Sequence, residues 1–170
     1  MVSGFFSIMG NLDWLMDKIT SRIPKHEVRV EAFCGRGELV WHMPPSKVEV
    51  LNDKDENIYR MWSLVRSLTD RQLDWLTWQD WVGHKETFDK LRASIPKEDL
   101  PWLYRRLYLY RFGRNSAEVD KETFRPPFEG NDASQEVPRL LQSRARLQSV
   151  TLTCRDYVNI FKEYDSPRTF

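Results

Sequence analysis

Only two of the 170 residues are cysteine, Cys34 and Cys154, too few for a disulfide framework and without the paired spacing of a zinc site. A reducing compartment, the cytoplasm, is the expectation. No apolar run approaches the roughly 18 residues that a membrane-spanning helix needs. Residues 1–10 lack the basic stretch, apolar core and small-residue cleavage site of a secretory signal. Charge of neither sign dominates, with 26 Lys and Arg against 25 Asp and Glu, so any contact with a polyanion has to be local. His26, His42 and His84 are scattered without metal-ligand spacing, and no metal is expected.

What is present suffices for one core, or for one core with a small inserted lobe: 41% of the residues are hydrophobic. Seven residues are tryptophan, and Trp62, Trp75, Trp78 and Trp81 lie close together. Helix packing is the favoured reading of that group over stacking on a ligand.

Leu12, Leu15, Met16, Ile19 and Ile23 recur at helical spacing, and Pro24 blocks continuation. A strand is predicted over residues 28–33 and a second, β-branched one over 48–51. Ile58, Met61, Trp62, Val65 and Leu68 mark the buried face of the next helix, for which Asn52, Asp53 and Asp55 offer capping side chains. Such alternation predicts an α/β fold with a parallel sheet. From residue 69 to about 116 helical stripes replace the strand signals: Phe88, Leu91 and Ile95, then Leu100, Leu103 and Leu107. Residues 117–135 read as a long loop. A helix over about 137–147, a strand near 150–152 and a helix over about 155–164 resume the alternation.

Phe33-Cys34-Gly35-Arg36-Gly37 falls where a strand ends and a helix begins, and glycines there let backbone amides approach a ligand. An ordinary tight turn is the competing reading. Asp53 follows the second strand at nearly the spacing that places a carboxylate on ribose hydroxyls. It is a candidate for ribose binding, and helix capping is compatible with that role. A nucleotide-dependent dehydrogenase would need a third glycine, which Arg36-Gly37-Glu38-Leu39-Val40 does not supply.

Several short blocks then occur in a telling order: Phe6-Ser7, Ile23-Pro24-Lys25-His26, Val30-Glu31-Ala32-Phe33-Cys34-Gly35-Arg36-Gly37, Pro45-Ser46, and Glu49-Val50-Leu51-Asn52-Asp53 with Asp55. In these the chain resembles the Dam-like, S-adenosylmethionine-dependent DNA adenine-N6 methyltransferases. Leu152-Thr153-Cys154-Arg155-Asp156-Tyr157 and Tyr164-Asp165-Ser166-Pro167-Arg168-Thr169-Phe170 look like that family's run-up to its catalytic strand.

The resemblance implies a Rossmann-like methyltransferase domain over residues 1–68 and 136–170, with an inserted, mainly helical target-recognition lobe over 69–135. It implies that Phe33, Gly35 and Gly37 cradle S-adenosylmethionine, that Asp53 holds its ribose, and that Asp156 and Tyr157 line its adenine. Capping of the last helix is the alternative role for Asp156. The lobe carries Arg105, Arg106, Tyr108, Tyr110, Arg111, Phe112, Gly113, Arg114, Asn115 and Ser116, where arginine and aromatic residues interleave. Arg111, Arg114 and Asn115 are the candidates for contact with double-stranded DNA, with solvated surface as the alternative. Tyr104, Leu107 and Tyr108 are expected to pack.

Two departures stand out. The family's Gly-Gly-Lys is replaced by Met9-Gly10-Asn11-Leu12, and no Asp-Pro-Pro-Tyr or Asn-Pro-Pro-Tyr occurs. No catalytic residue is therefore assigned. The expectation is a truncated or split enzyme, inactive until a C-terminal polypeptide carrying Asp-Pro-Pro-Tyr and the remaining strands joins it, or else a non-catalytic binding remnant of one. The last strand present is expected to stand as an open sheet edge.

Overall fold

The computed structural model describes residues 15–114, 121, 123–125 and 136–170. They form a mixed α/β structure with a small parallel sheet. Two compact units divide the chain: the described residues up to Ser67 with Ser143–Phe170, and Leu68–Gln142.

In the first unit, α1 (Met16–Thr20) ends ahead of Pro24, followed by β1 (Val28–Glu31), α2 (Glu38–His42), β2 (Val48–Asn52) and α3 (Glu56–Ser67). After the second unit come β5 (Thr151–Thr153) and α8 (Tyr157–Tyr164). The strands lie in the order β1-β2-β5, all parallel, with Val30 opposite Val50 and Leu51 opposite Leu152. Val50, Leu51, Ile58, Met61, Trp62 and Val65 form the core against which the sheet is held. β1 ends two residues earlier than the sequence predicts, because Ala32 and Phe33 already belong to the turn.

β5 lies at one edge of the sheet, as expected. The other flank of β1 is taken by the C-terminal residues: the Val30 amide donates to the Phe170 carbonyl at 2.8 Å, and the Phe170 amide donates to the Val28 carbonyl at 3.0 Å. Thr169 bridges Val28 in parallel.

β1 and β2 also carry a buried ion cluster. Arg29 and Glu49 face each other in register and pair, each nearly inaccessible to water, and Arg146 donates to both oxygens of Glu49 at 2.5 and 2.7 Å. Two guanidinium groups on one carboxylate satisfy the charge that the sheet buries.

The second unit holds α4 (Asp70–Thr77), α5 (Lys85–Ala93), α6 (Asp99–Phe112), a two-residue antiparallel pair β3 (Gly113–Arg114) and β4 (Thr123–Phe124), and the start of α7 (Glu136–Leu147). A capping box between Thr69 and Gln72 starts α4. Pro101 sits in the first turn of α6 and Pro138 in that of α7, where no amide partner is lost. α6 is buried on nearly all sides, with Trp102, Leu103, Leu107, Tyr108, Leu109 and Tyr110 in the core. The expected stripe of Leu100, Leu103 and Leu107 underestimates it. Trp81 packs edge-on against Tyr104 at 5.2 Å. The packing expected of the tryptophan group holds for Trp62 and Trp81, but Trp78 is 87% exposed. It stands at the C-cap of α4, beyond the last turn that faces the core.

The pair β3 and β4 is a correction to the sequence reading, which places no strand between residues 69 and 135. Two-residue strands carry no periodicity to detect. Among the described residues no helix is long and apolar enough to cross a membrane, and no group of His, Cys, Asp and Glu is arranged to hold a metal.

Candidate functional site

Because β1, β2 and β5 are parallel, their C-terminal ends share one edge of the sheet. The segments that leave this edge are Phe33 to Gly37 after β1, Asp53 to Asp55 after β2, and Arg155 to Tyr157 after β5. Six sequence-predicted residues, Phe33, Gly35, Gly37, Asp53, Asp156 and Tyr157, are thereby brought to one end of one unit. Ligands of open α/β sheets bind at such strand ends.

The glycine turn is fixed from four sides. The Cys34 amide donates to the Asn52 carbonyl at 2.8 Å, the Trp62 indole to the Gly35 carbonyl at 2.8 Å, the Trp41 indole to the Arg36 carbonyl at 2.7 Å, and the Gly35 amide to Asp53 Oδ2 at 2.9 Å. Both glycines have positive φ, +45° at Gly35 and +67° at Gly37. Their surroundings differ. A Cβ on Gly35 would meet nothing within 4 Å, whereas one on Gly37 would meet Trp41 Nε1 and Val40 Cγ1 at 3.3 Å and Leu51 Cδ1 at 3.5 Å. Gly35 borders open space, and Gly37 lets α2 close onto β2.

Asp53 bridges two backbone amides, since its Oδ1 accepts from Asp55 at 3.0 Å while Oδ2 holds Gly35. The start of α3 is held by Asp55, whose carboxylate accepts from the Asn57 amide at 2.8 Å. Capping is thus carried by Asp55, and Asp53 belongs to the turn. Asp156 does cap its helix: Oδ1 accepts from the Val158 amide at 3.0 Å, and Oδ2 pairs with Lys54 at 3.0 Å. That amide and the Lys54 ammonium keep its carboxyl below the usual range. Phe33, 70% exposed, lies against Tyr157 with ring centroids 5.2 Å apart, and Tyr157 meets Phe161 edge-on at 5.6 Å.

Two residues here take roles the sequence does not show, and for Asn52, offered by the sequence as a cap of α3, this is a correction, because its side chain is engaged at the strand ends. Asn52 is fully buried and makes four side-chain hydrogen bonds. Its Nδ2 donates to the carbonyls of Ala32 and Arg155, both at 2.9 Å, and its Oδ1 accepts from Thr153 Oγ1 at 2.8 Å and the Arg155 amide at 3.0 Å. It ties the three strand ends together. A polar residue directly after the buried pair Val50 and Leu51 was the available signal. Glu31, at the end of β1, accepts from the amides of Val40 at 2.8 Å and Leu39 at 3.3 Å at the start of α2. Burial pushes its carboxyl up to about 7 against the opposing effect of those amides and of Arg29.

Comparison with protein-family models gives no match, and comparison with curated proteins gives none either.

In the second unit the arginines divide by role. Arg105 is buried and closes α5, donating from Nε to the Leu91 carbonyl at 2.6 Å and from Nη2 to the Arg92 carbonyl at 3.2 Å. Arg106 lies over the rings of Trp102 and Tyr110, at 5.4 and 5.2 Å, and donates to the Tyr110 hydroxyl. Neither belongs to an exposed basic cluster. Tyr104, Leu107 and Tyr108 are buried, as their packing role requires. Arg111 is half-buried at the end of α6, and the backbone of Arg114 begins its pairing with Thr123 in β4. Asn115 lies outside the described residues, as do Phe6-Ser7, Met9-Gly10-Asn11-Leu12 and most of residues 117–135.

Proposed function

We propose that the chain carries the S-adenosylmethionine-binding part of a DNA adenine-N6 methyltransferase, built on a Rossmann-like domain with the lobe of residues 69–135 inserted for target recognition. The observation that carries this reading is the meeting of Asp53 with the Gly35 amide at parallel strand ends, where a Cβ on Gly35 would meet nothing within 4 Å.

The residues present fit the cofactor. Gly35 leaves room for a ligand against the backbone, and Asp53, half-buried, offers carboxylate lone pairs to ribose hydroxyls. Phe33 and Tyr157 offer rings for stacking on the adenine. Asp156 Oδ2 is an acceptor for the adenine amino group, which has to share it with or displace Lys54. Displacement costs little, because both partners of that ion pair reach solvent. When bound, S-adenosylmethionine supplies the methyl group to be transferred.

The target amino group is a poor nucleophile, and its alignment needs hydrogen-bond acceptors on its hydrogens. The family's acceptor motif, Asp-Pro-Pro-Tyr, does not occur in these residues, so cofactor binding here is separable from turnover. A polypeptide supplying that motif is the partner to seek. DNA contact is assigned to Arg111, Arg114 and Asn115, with the cytoplasm as the compartment. Replacing either arginine with alanine should lower the salt slope of DNA binding by about one, the share of a single phosphate. A binding remnant without turnover shares all of these features.

Photolabelling tests the reading. Ultraviolet cross-linking with methyl-tritiated S-adenosylmethionine should label a peptide containing Phe33 or Tyr157, and excess S-adenosylhomocysteine should abolish the label. Labelling elsewhere, or none, would reject the assignment.

A further inference from the structure

The Asn52 carbonyl, Asp53 and Trp62 hold the glycine turn from the side of β2 and α3. Its other side depends on α2. That helix starts directly after Gly37, and its Trp41 indole donates to the Arg36 carbonyl, between the two glycines. The first amides of a helix have no acceptor within it, and Gly37, the N-cap, has no side chain to offer one. Glu31 supplies the acceptors from the end of β1, through Oε1 to the Val40 amide at 2.8 Å and through Oε2 to the Leu39 amide at 3.3 Å. One carboxylate thus ties β1 to α2 and, through Trp41, to the turn. An ionised carboxylate accepts through both oxygens, whereas protonation turns one of them into a donor. Hydrogen bonds to the ionised form are also about twice as strong as neutral ones. Both amides are held only while Glu31 is charged.

We propose that Glu31 is a positioning residue of the cofactor site: ionised, it clamps the start of α2, and with it the Arg36 carbonyl and the glycine turn, in the form that binds ligand, and protonated it releases one of the two amides and loosens that form. The inference rests on the cofactor reading above and adds a dependence on pH to it. The charged groups around Glu31 come from several elements. Arg29 of β1 favours its ionisation, but is paired with Glu49 of β2, which Arg146 of α7 also holds. Glu38 of α2 opposes ionisation and is flanked by Arg36 at 3.3 Å and His42 at 3.8 Å. Burial keeps the thiol of Cys34, in the turn, neutral. Burial of Glu31 itself outweighs its favourable partners, so its charge changes near pH 7.

The test is calorimetric titration of the full chain with S-adenosylhomocysteine at pH 6 and pH 8. The native protein should bind about fivefold more tightly at pH 8, a coupling of ordinary size. Glu31→Gln keeps one acceptor oxygen and no charge, and should bind at both pH values as the native protein does at pH 6. A slope that came from His42 or from the ligand's own amino group would persist in this variant. A second readout needs no substitution: in proton–nitrogen correlation spectra the Leu39 and Val40 amide protons should move downfield together as pH rises, with a midpoint near 7. Saturating S-adenosylhomocysteine should lower that midpoint, because a ligand that prefers the ionised form favours ionisation in return. Absence of binding to the native protein at both pH values would reject the cofactor reading and this inference with it. Binding that is equal at the two pH values, a slope that persists in Glu31→Gln, or a midpoint unmoved by ligand would overturn the role of Glu31 and leave the cofactor site standing.

Discussion

The carboxylate of Asp53 accepts the amide hydrogen of Gly35 at 2.9 Å, across 18 positions of sequence. One side chain after β2 thus sets the shape of the turn after β1. The same carboxylate holds the Asp55 amide, so the end of β2 and the glycine turn are fixed as one body. Removal of Asp53 would act on turn geometry as well as on any hydroxyl it binds.

The two glycines should respond differently to alanine. Gly37→Ala adds crowding at 3.3 Å to a positive φ, and the expected loss is about 2–3 kcal/mol of stability. Gly35→Ala adds only the backbone penalty, about 1 kcal/mol, while placing a methyl group in the space beside the turn. Urea unfolding of both variants, with ligand binding measured for Gly35→Ala, separates the effects. Equal losses of stability would contradict the distinction.

Asn52→Leu should destabilise the first unit by about 3 kcal/mol or more. It removes the partner of the Ala32 and Arg155 carbonyls, the Arg155 amide and the Thr153 hydroxyl, the first of them buried and the others part-buried. Chemical denaturation gives the value. A loss below about 1 kcal/mol, the net worth of one ordinary hydrogen bond, would show that water replaces the side chain.

Glu31 should make stability fall as pH rises. Its carboxyl is raised from the ordinary 4.5 to about 7, so the folded state binds a proton that the unfolded state has released. The contribution is present below about 4.5 and is lost as pH rises through about 7. A shift of this size corresponds to about 3 kcal/mol. Glu31→Gln should remove that slope, and denaturation of both proteins at pH 5 and pH 8 checks it. A stability rising over this interval in the native protein but not in the variant would reverse the sign.

How much of this was legible in the sequence depends on the length of each signal. The α/β alternation was, because Ile58, Met61, Trp62 and Val65 repeat at helical spacing and Val48 and Val50 favour a strand. The pair β3 and β4 was not, since two residues have no period. The roles of Arg105 and Arg106 were not legible for a physical reason: the partners that bury a helical arginine are not visible along the chain, and here they are carbonyls of α5 and rings within α6. The site shows the same limit. Gly35 and Asp53 stood out by spacing, and their hydrogen bond agrees with that pairing. Asn52 and Glu31 act through contacts with Arg155 or with α2, which spacing along β2 or β1 cannot reveal.

Isothermal titration of the chain with S-adenosylhomocysteine tests the proposed cofactor site most directly. The native protein should release or absorb heat at a one-to-one stoichiometry, Asp53→Ala should weaken binding about tenfold or more, and Arg105→Lys, remote in role, should leave it unchanged. Absence of binding to the native protein, or equal affinity in Asp53→Ala, would contradict the assignment of this strand-end site to S-adenosylmethionine.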